Sequence, residues 1–283
     1  MLQHDSNSAS AEVGLGFRRE HITELNPQTE YPINYFEVAP ENWLHVSPSL
    51  RREFRAFTEA YAFRAHGLSL SLGGINSLDT AFLKQVKAFL DLHNIEHFSE
   101  HLSACSDQGH LYDLMPVPFT EEGVKWISQR IRQTSDILNR PIAIENVSYY
   151  SPSLIDMTEL EFLKAILAES DCRLLLDVNN LYVNSINHGY DPYRFIETLP
   201  TDRIEYIHVA GHYVEQPDLL IDTHGAPVAD PVWALLKQTY RQHGAHSTLL
   251  ERDFNIPPMV DLLKETEIIR TLQREVSHDY AAA

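Results

Sequence analysis

A helix followed directly by a strand is predicted for the segment Leu160-Glu-Phe-Leu-Lys-Ala-Ile-Leu-Ala-Glu-Ser-Asp-Cys-Arg-Leu-Leu-Leu-Asp-Val178. Leu160, Leu163 and Leu167 recur at helical spacing and fall on one face. Arg173–Val178 is a short apolar run with the length of a buried strand. A helix that leads directly into a buried strand is the repeating unit of parallel α/β folds.

The same alternation extends in both directions along the chain. Eight runs have strand character: Val13–Phe17, Tyr35–Ala39, Ala62–His66, His97–His101, Ile142–Asn146, Arg173–Val178, Glu205–Ala210 and Ser247–Arg252. Further helices are predicted from one-faced apolar sets, such as Val124, Ile127 and Ile131, and a last one over Val260–Leu272 after Pro257-Pro258. Eight strands alternating with helices predict an α/β fold, a closed (β/α)8 TIM barrel. A doubly wound open sheet is the alternative, but no Gly-x-Gly-x-x-Gly follows a strand.

Composition narrows the class of protein. The 283 residues suit a single barrel domain over 1–283, with flexible tails expected at 1–11 and 277–283. The two cysteines lie far apart, which disfavours a disulfide framework and fits a reduced, cytoplasmic protein. We expect no secretory signal, because Met1–Glu12 is polar, and no membrane span. The net charge of −18 argues against nucleic acid as a partner.

Metal-binding residue types stand at the predicted strand ends. Active sites of TIM barrels lie at the C-terminal ends of the strands. Seven of the eight strands end in such a residue: Glu37, His66, His101, Glu145, Asp177, His208 and Glu251. Any one of them is explained by a hydrogen-bonded histidine or a helix-capping carboxylate. Their convergence on one axis is costly unless a multivalent cation neutralises the carboxylates.

The loops beyond the strands add candidates. His208-Val-Ala-Gly-His212 and Asp222-Thr-His224 extend the predicted metal ligands to nine: His66, His101, Glu145, Asp177, His208, His212, Asp222, His224 and Glu251. Nine nitrogen and oxygen donors suit two or three ions bridged by carboxylates, and leave iron, manganese and zinc open. Asn146, Asn179 and Asn180 can ligate an ion or orient a ligand, although for Asn179 a hydrogen-bonding role within the loop is expected. Arg252 and Asp253, beside Glu251, are candidates either for contacts that orient the ligands or for an exposed ion pair.

Seven motifs occur in a fixed order between Gly14 and Leu272. They are His66-Gly-Leu-Ser-Leu-Ser-Leu-Gly73, Ser99-Glu-His101-Leu, Glu145-Asn-Val-Ser148, Leu176-Asp-Val-Asn-Asn180, His208-Val-Ala-Gly-His212, Asp222-Thr-His224-Gly and Glu251-Arg-Asp253. In this order they resemble the multinuclear non-haem iron-dependent oxidative enzymes, a family that includes methanobactin-biosynthesis members.

This resemblance implies a barrel related to xylose isomerase and endonuclease IV. It implies two or three iron ions in mixed valence (Fe2+/Fe3+), held by the nine residues, with dioxygen as co-substrate. It also implies that the substrates are cysteines, or other residues, of ribosomally made precursor peptides, and that a small companion protein presents the peptide. Where relatives often carry Asp, this chain has Glu100.

Three functional hypotheses follow for the predicted site. The first is an oxidative, peptide-modifying iron enzyme, which the resemblance favours. The second is a hydrolase or isomerase in which zinc or manganese activates water and binds a phosphate or sugar substrate. The third is a metal-binding or storage protein without catalysis. The residues alone do not decide between oxidation and hydrolysis.

Overall fold

The computed structural model describes residues 11–106, 109–151 and 154–282. Eight parallel strands close into a barrel in which each strand pairs with its neighbours along the chain and β1 pairs with β8. The strands are β1 Val13–Gly16, β2 Tyr35–Val38, β3 Ala62–Gly67, β4 Phe98–His101, β5 Ala143–Glu145, β6 Arg173–Asp177, β7 Ile204–Val209 and β8 Thr248–Leu250. Each overlaps one predicted run, so the TIM-barrel prediction is confirmed.

Helices occupy the connections between the strands. They are α1 Arg19–Glu24, α2 Glu41–Leu44, α3 Pro48–Ala60, α4 Thr80–Leu92, α5 Glu121–Leu138, α6 Glu159–Ser170, α7 Val178–His188, α8 Pro192–Glu197, a 3-10 turn Thr201–Arg203, α9 Asp230–His243 and α10 Met259–Ala282. The helix α10 starts after Pro258 as predicted but continues past Leu272. Residues 277–282, expected to form a flexible tail, are its last turns. The N-terminal tail predicted at 1–11 lies, except for Ala11, outside the described residues.

The helix–strand unit α6–β6 shows how local sequence sets these bounds. Thr158 and Glu161 form a capping box that satisfies free backbone N–H groups at the start of α6. Leu163, Ile166 and Leu167 are buried on one helix face and belong to the main apolar core. The helix ends at Asp171, whose left-handed backbone (φ 59°) turns the chain into β6.

Two hairpins follow barrel strands at the C-terminal side. Ala104–Ser106 pairs with His110–Met115 after β4, and Tyr213–Gln216 pairs with Leu219–Ile221 after β7. The main apolar core lies between the strands and the helices, whereas a small cluster of Ala143, Leu175 and Tyr206 is separate from it. No helix among the described residues has the length and apolar character needed to cross a bilayer.

Candidate metal centre

Strand register brings the predicted ligands into lateral contact. His101 on β4 is paired with Glu145 on β5, and Asp177 on β6 is paired with His208 on β7. Because all strands run parallel, these residues reach the same end of the barrel. Glu145, Asp177 and His208 are at most 1% exposed, so their charges are removed from water.

The first group of donors consists of His66, His101 and Glu145. The Nε2 atoms of the two histidines are 3.1 Å apart, and Glu145 Oε2 lies 3.0 Å from His66 Nε2 and 3.3 Å from His101 Nε2. His101 Nδ1 is 2.9 Å from the Gly67 carbonyl, which only accepts, so Nδ1 carries a hydrogen. Separations of about 3 Å are those of ligands that share one ion through bonds of about 2.0–2.2 Å.

Two further groups share carboxylates with each other and with the first. The second consists of Glu145, Asp177, His208 and Glu251, and the third of His224, Glu251 and Asp253. Glu251 Oε2 is 3.0 Å from His208 Nδ1 and 3.2 Å from His224 Nδ1. Glu145 and Glu251 therefore join the three groups into one continuous cluster, as carboxylates that bridge neighbouring ions would.

Several donor atoms in this cluster are buried and have no hydrogen-bond partner among the described residues. They are Glu145 Oε2, Asp177 Oδ2, Asn180 Oδ1, both ring nitrogens of His208, and His224 Nε2. Glu145 Oε2 and His208 Nδ1 are among the atoms in the short contacts above, but those contacts lack the alignment of a hydrogen bond. Unsatisfied buried polar atoms are costly, and a cation in their midst removes that cost. The buried histidine, aspartate and glutamate groups can thus hold metal ions.

The electrostatics of the cluster point the same way. Burial lowers the pKa of His101, but the carboxylates of Glu145 and Glu100 outweigh it and raise that pKa to about 9. Burial disfavours the charged form of Glu145, yet the facing His101 and His66 lower its pKa to about 2. For Asp177, burial dominates and raises the pKa well above its ordinary value, with Glu145 and Asp222 adding to the shift. A neighbouring cation would stabilise the ionised form of Asp177.

His212 and Asp222, both predicted ligands, lie outside the three groups. Asp222 Oδ1 is 2.8 Å from His224 Nε2 and accepts a hydrogen bond of 2.9 Å from Asn179. The carbonyl oxygen of the same Asn179 side chain is 2.8 Å from His212 Nδ1. Asn179, for which a loop role was expected, therefore connects the two. The remaining seven predicted ligands all belong to the groups.

Neighbouring polar residues support the cluster. Asn180 donates to Glu145 Oε1 (3.2 Å), and Asn146 exchanges hydrogen bonds with the backbone of Asp177. Glu100 accepts from the backbone N–H groups of Leu70 and His101, which ties the β3 loop to β4. The contacts of Asn146 and Asn180 are of the kind that residues orienting metal ligands make.

The two residues that follow Glu251 make different contacts. Asp253 approaches His224 Nδ1 (3.6 Å), whereas Arg252 turns away to pair with Glu265 (2.7 Å). Arg18, which sequence reasoning did not select, contacts Asp253 and lies 3.5 Å from Glu251. The sequence did offer a hint, because Arg18 lies two residues after β1, the one strand whose end carries no metal-binding residue type.

Solved structures share the fold. The chain superposes on the 3-keto-D-glucoside 4-epimerase YcjR from E. coli with a TM-score of 0.60 and 13% identity, covering 92% of this chain and 99% of that one. D-psicose 3-epimerase from Clostridium cellulolyticum H10 gives a TM-score of 0.58 at 11% identity, covering 94% and 99%. Xylose-isomerase-like barrels are also similar, which confirms the predicted class of barrel.

Sequence relatives are much closer. A UPF0276 protein from Shewanella sediminis is 55% identical over 269 residues, which cover 95% of this chain and 97% of the relative. A UPF0276 protein from Pseudomonas aeruginosa is 50% identical over 262 residues, covering 93% and 92%. The family described as RiPP precursor modification enzyme MbnB/TglH/ChrH matches residues 12–274. The chain therefore belongs to this family of enzymes that modify ribosomally made precursor peptides.

Proposed function

We propose that the protein is an iron- and dioxygen-dependent oxidoreductase that modifies a cysteine, or another residue, of a ribosomally made precursor peptide. The observation that carries the proposal is the buried cluster in which Glu145 and Glu251 each belong to two donor groups. Shared carboxylates of this kind suit two or three ions, with the nine predicted residues as ligands. Nitrogen and oxygen donors without thiolate suit iron in its Fe2+ and Fe3+ states.

Bound iron would supply the one-electron chemistry that dioxygen requires. The chain's own residues hold and orient the site. The Gly67 carbonyl keeps His101 with Nδ1 protonated, and Asn180 holds Glu145 by its second oxygen. Asn179 donates a hydrogen bond to Asp222 Oδ1, and Ser148 donates one to Asp222 Oδ2. Together they limit the rotation of the Asp222 carboxylate beside His224. Such outer contacts keep metal ligands in place.

The surface around the barrel mouth supports a peptide as substrate. Exposed apolar side chains lie on connections that follow five different strands: Leu68, Ile75, Leu111, Met115, Tyr150, Leu154, Ile155, Tyr213, Val214 and Phe254. Exposed apolar residues that gather on one side mark a surface for a macromolecular partner. We infer that the precursor peptide and a small companion protein bind there.

The alternative is a zinc or manganese isomerase or hydrolase acting on a sugar or phosphate, and structurally similar barrels are sugar epimerases. That likeness is confined to the fold at 11–13% identity. The exposed apolar side chains on the connections around the barrel mouth favour the peptide, because such side chains gathered on one side mark a surface for a macromolecular partner.

The test is to purify the protein without oxygen, measure its metals and record Mössbauer spectra. Short cysteine-containing peptides from any reading frames found beside the gene are then added. We expect two or three irons per chain, and a peptide mass change that requires dioxygen. His101→Gln should lose iron and activity. His97→Gln is the matched control, because His97 starts the same run but pairs with Glu205 at the opposite end of β4. Full activity with zinc in the absence of dioxygen would contradict the proposal.

A further inference from the structure

A row of short hydrogen bonds crosses the barrel from Glu37 to His66. The Tyr206 hydroxyl donates to Glu37 Oε2 at 2.7 Å. Ser99 Oγ lies 2.7 Å from the same hydroxyl, and His66 Nδ1 lies 2.7 Å from Ser99 Oγ. All four residues are at most 5% exposed, so bulk water does not compete for these bonds.

The chemistry of Glu37 sets the direction of every bond in the row. An ionised carboxylate can only accept, so the single Tyr206 hydrogen is committed to Glu37. The Tyr206 oxygen then accepts from Ser99, which commits the single Ser99 hydrogen. The Ser99 oxygen is left to accept from His66 Nδ1–H. The other acceptor near Ser99, the Ala65 carbonyl, is 3.5 Å away and too distant to take that hydrogen.

The consequence appears at the other nitrogen of His66. A neutral imidazole with its hydrogen on Nδ1 carries a lone pair on Nε2. That Nε2 atom faces Glu145 Oε2 at 3.0 Å and His101 Nε2 at 3.1 Å, inside the first donor group. A histidine in the opposite tautomer would present a hydrogen to that group and could not ligate an ion there.

We propose that Glu37, Tyr206 and Ser99 are positioning residues that hold His66 in the tautomer and orientation required to bind metal. The inference rests on metal binding by the proposed function and assigns roles to three residues outside the nine predicted ligands. Glu37 also lies 2.8 Å from His208 Nε2, so the carboxylate that starts the row adjoins a ligand of the second group. One residue of β2 thereby influences two donor groups.

The protein contains a matched pair of tyrosines for the test. Tyr35 and Tyr206 are both 1% exposed, and the Arg64 guanidinium lies over both rings, at 4.1 Å and 4.7 Å from their centroids. The Tyr35 hydroxyl, unlike that of Tyr206, has no hydrogen-bond partner among the described residues. Tyr206→Phe and Tyr35→Phe therefore remove the same buried atom from similar surroundings, and only the first breaks the row.

Two measurements on the full chain are required. The first is Fe2+ affinity by chelator competition without oxygen. Tyr206→Phe should weaken one of the bound irons by about 10- to 100-fold, and Tyr35→Phe should weaken every bound iron by less than about twofold. The second is ¹⁵N NMR of histidine-labelled, metal-free protein at a pH where His66 is neutral, with His66→Gln for assignment. The parent protein should show His66 protonated on Nδ1, and Tyr206→Phe should show mixed tautomers.

The outcomes separate this inference from the proposed function. Equal iron affinity in the two tyrosine variants, or a parent His66 protonated on Nε2, would overturn the inference and leave the metal centre standing. If the parent chain binds no iron, the proposed function fails, and the tautomer measurement still decides the role of the row. If Tyr206→Phe does not fold, Ser99→Ala removes the middle link and should give the same losses.

Discussion

Replacing Glu145 with glutamine tests the joined cluster most directly. The carboxylate belongs to the first and second donor groups, and its Oε2 lies within 3.3 Å of both His66 and His101. Glutamine keeps the volume and an oxygen for the hydrogen bond from Asn180. It removes the negative charge and one of the two carboxylate oxygens. We expect Glu145→Gln to lose at least one iron per chain, because a neutral amide bridges two cations poorly.

The effect of Glu145→Gln on folding stability is measured in the metal-free protein. The pKa of His101 is raised to about 9, with Glu145 the largest favourable cause. A group whose pKa is raised by folding stabilises the native state fully below its pKa in the unfolded chain, which is about 6.5 for histidine. This stabilisation is lost as the pH rises through the pKa of the group in the folded protein. A rise of the His101 pKa from 6.5 to about 9 corresponds to about 3 kcal/mol in the free energy of unfolding. Glu145→Gln should lose much of this pH-dependent contribution.

Urea unfolding of both metal-free proteins at pH 6 and pH 9.5 measures the difference. The parent should lose more stability than the variant over this range, by up to about 3 kcal/mol. Burial lowers the pKa values of His208 and His224, but the facing carboxylates outweigh it and raise both values. Both proteins retain these two histidines, so their contribution to the difference in pH dependence largely cancels. Identical pH dependence in the two proteins, together with unchanged iron content, would refute the reasoning.

Three further substitutions test separate parts of the site. Asp222→Ala removes the carboxylate that lies 2.8 Å from His224 Nε2 and accepts a hydrogen bond from Asn179. Elemental analysis should find about one iron fewer per chain, and unchanged iron content would contradict a ligand role for Asp222. His212→Ala should lower iron affinity less than His101→Ala in the same chelator competition, because Asn179 separates His212 from the donor groups. A larger loss for His212→Ala than for His101→Ala would contradict this assignment. Phe254→Asp changes a side chain that is 66% exposed, so iron content should persist and folding stability should change by less than about 0.5 kcal/mol. The dissociation constant of a labelled precursor peptide should rise. Unaltered peptide binding would show that Phe254 does not contact the peptide.

The fold and the location of the site follow from local patterns. The spacing of Leu160, Leu163 and Leu167 and the apolar run at Arg173 specify a helix and a strand without reference to the rest of the chain. Strands joined by helices run parallel, so their C-terminal ends meet on one side. His101, Glu145 and Asp177 could therefore be assigned to one barrel mouth from their positions at strand ends alone.

The partners of each ligand depended on tertiary structure. The lateral register of the strands sets His101 beside Glu145, and barrel closure brings Tyr206 to Glu37, which lies 169 positions away in sequence. No periodicity encodes such pairings, because it specifies the face of a strand but not which residue of another strand lies opposite. Sequence determined which residue types line the mouth. Only the folded barrel decided that Glu145 and Glu251 are shared and that His212 is connected through Asn179.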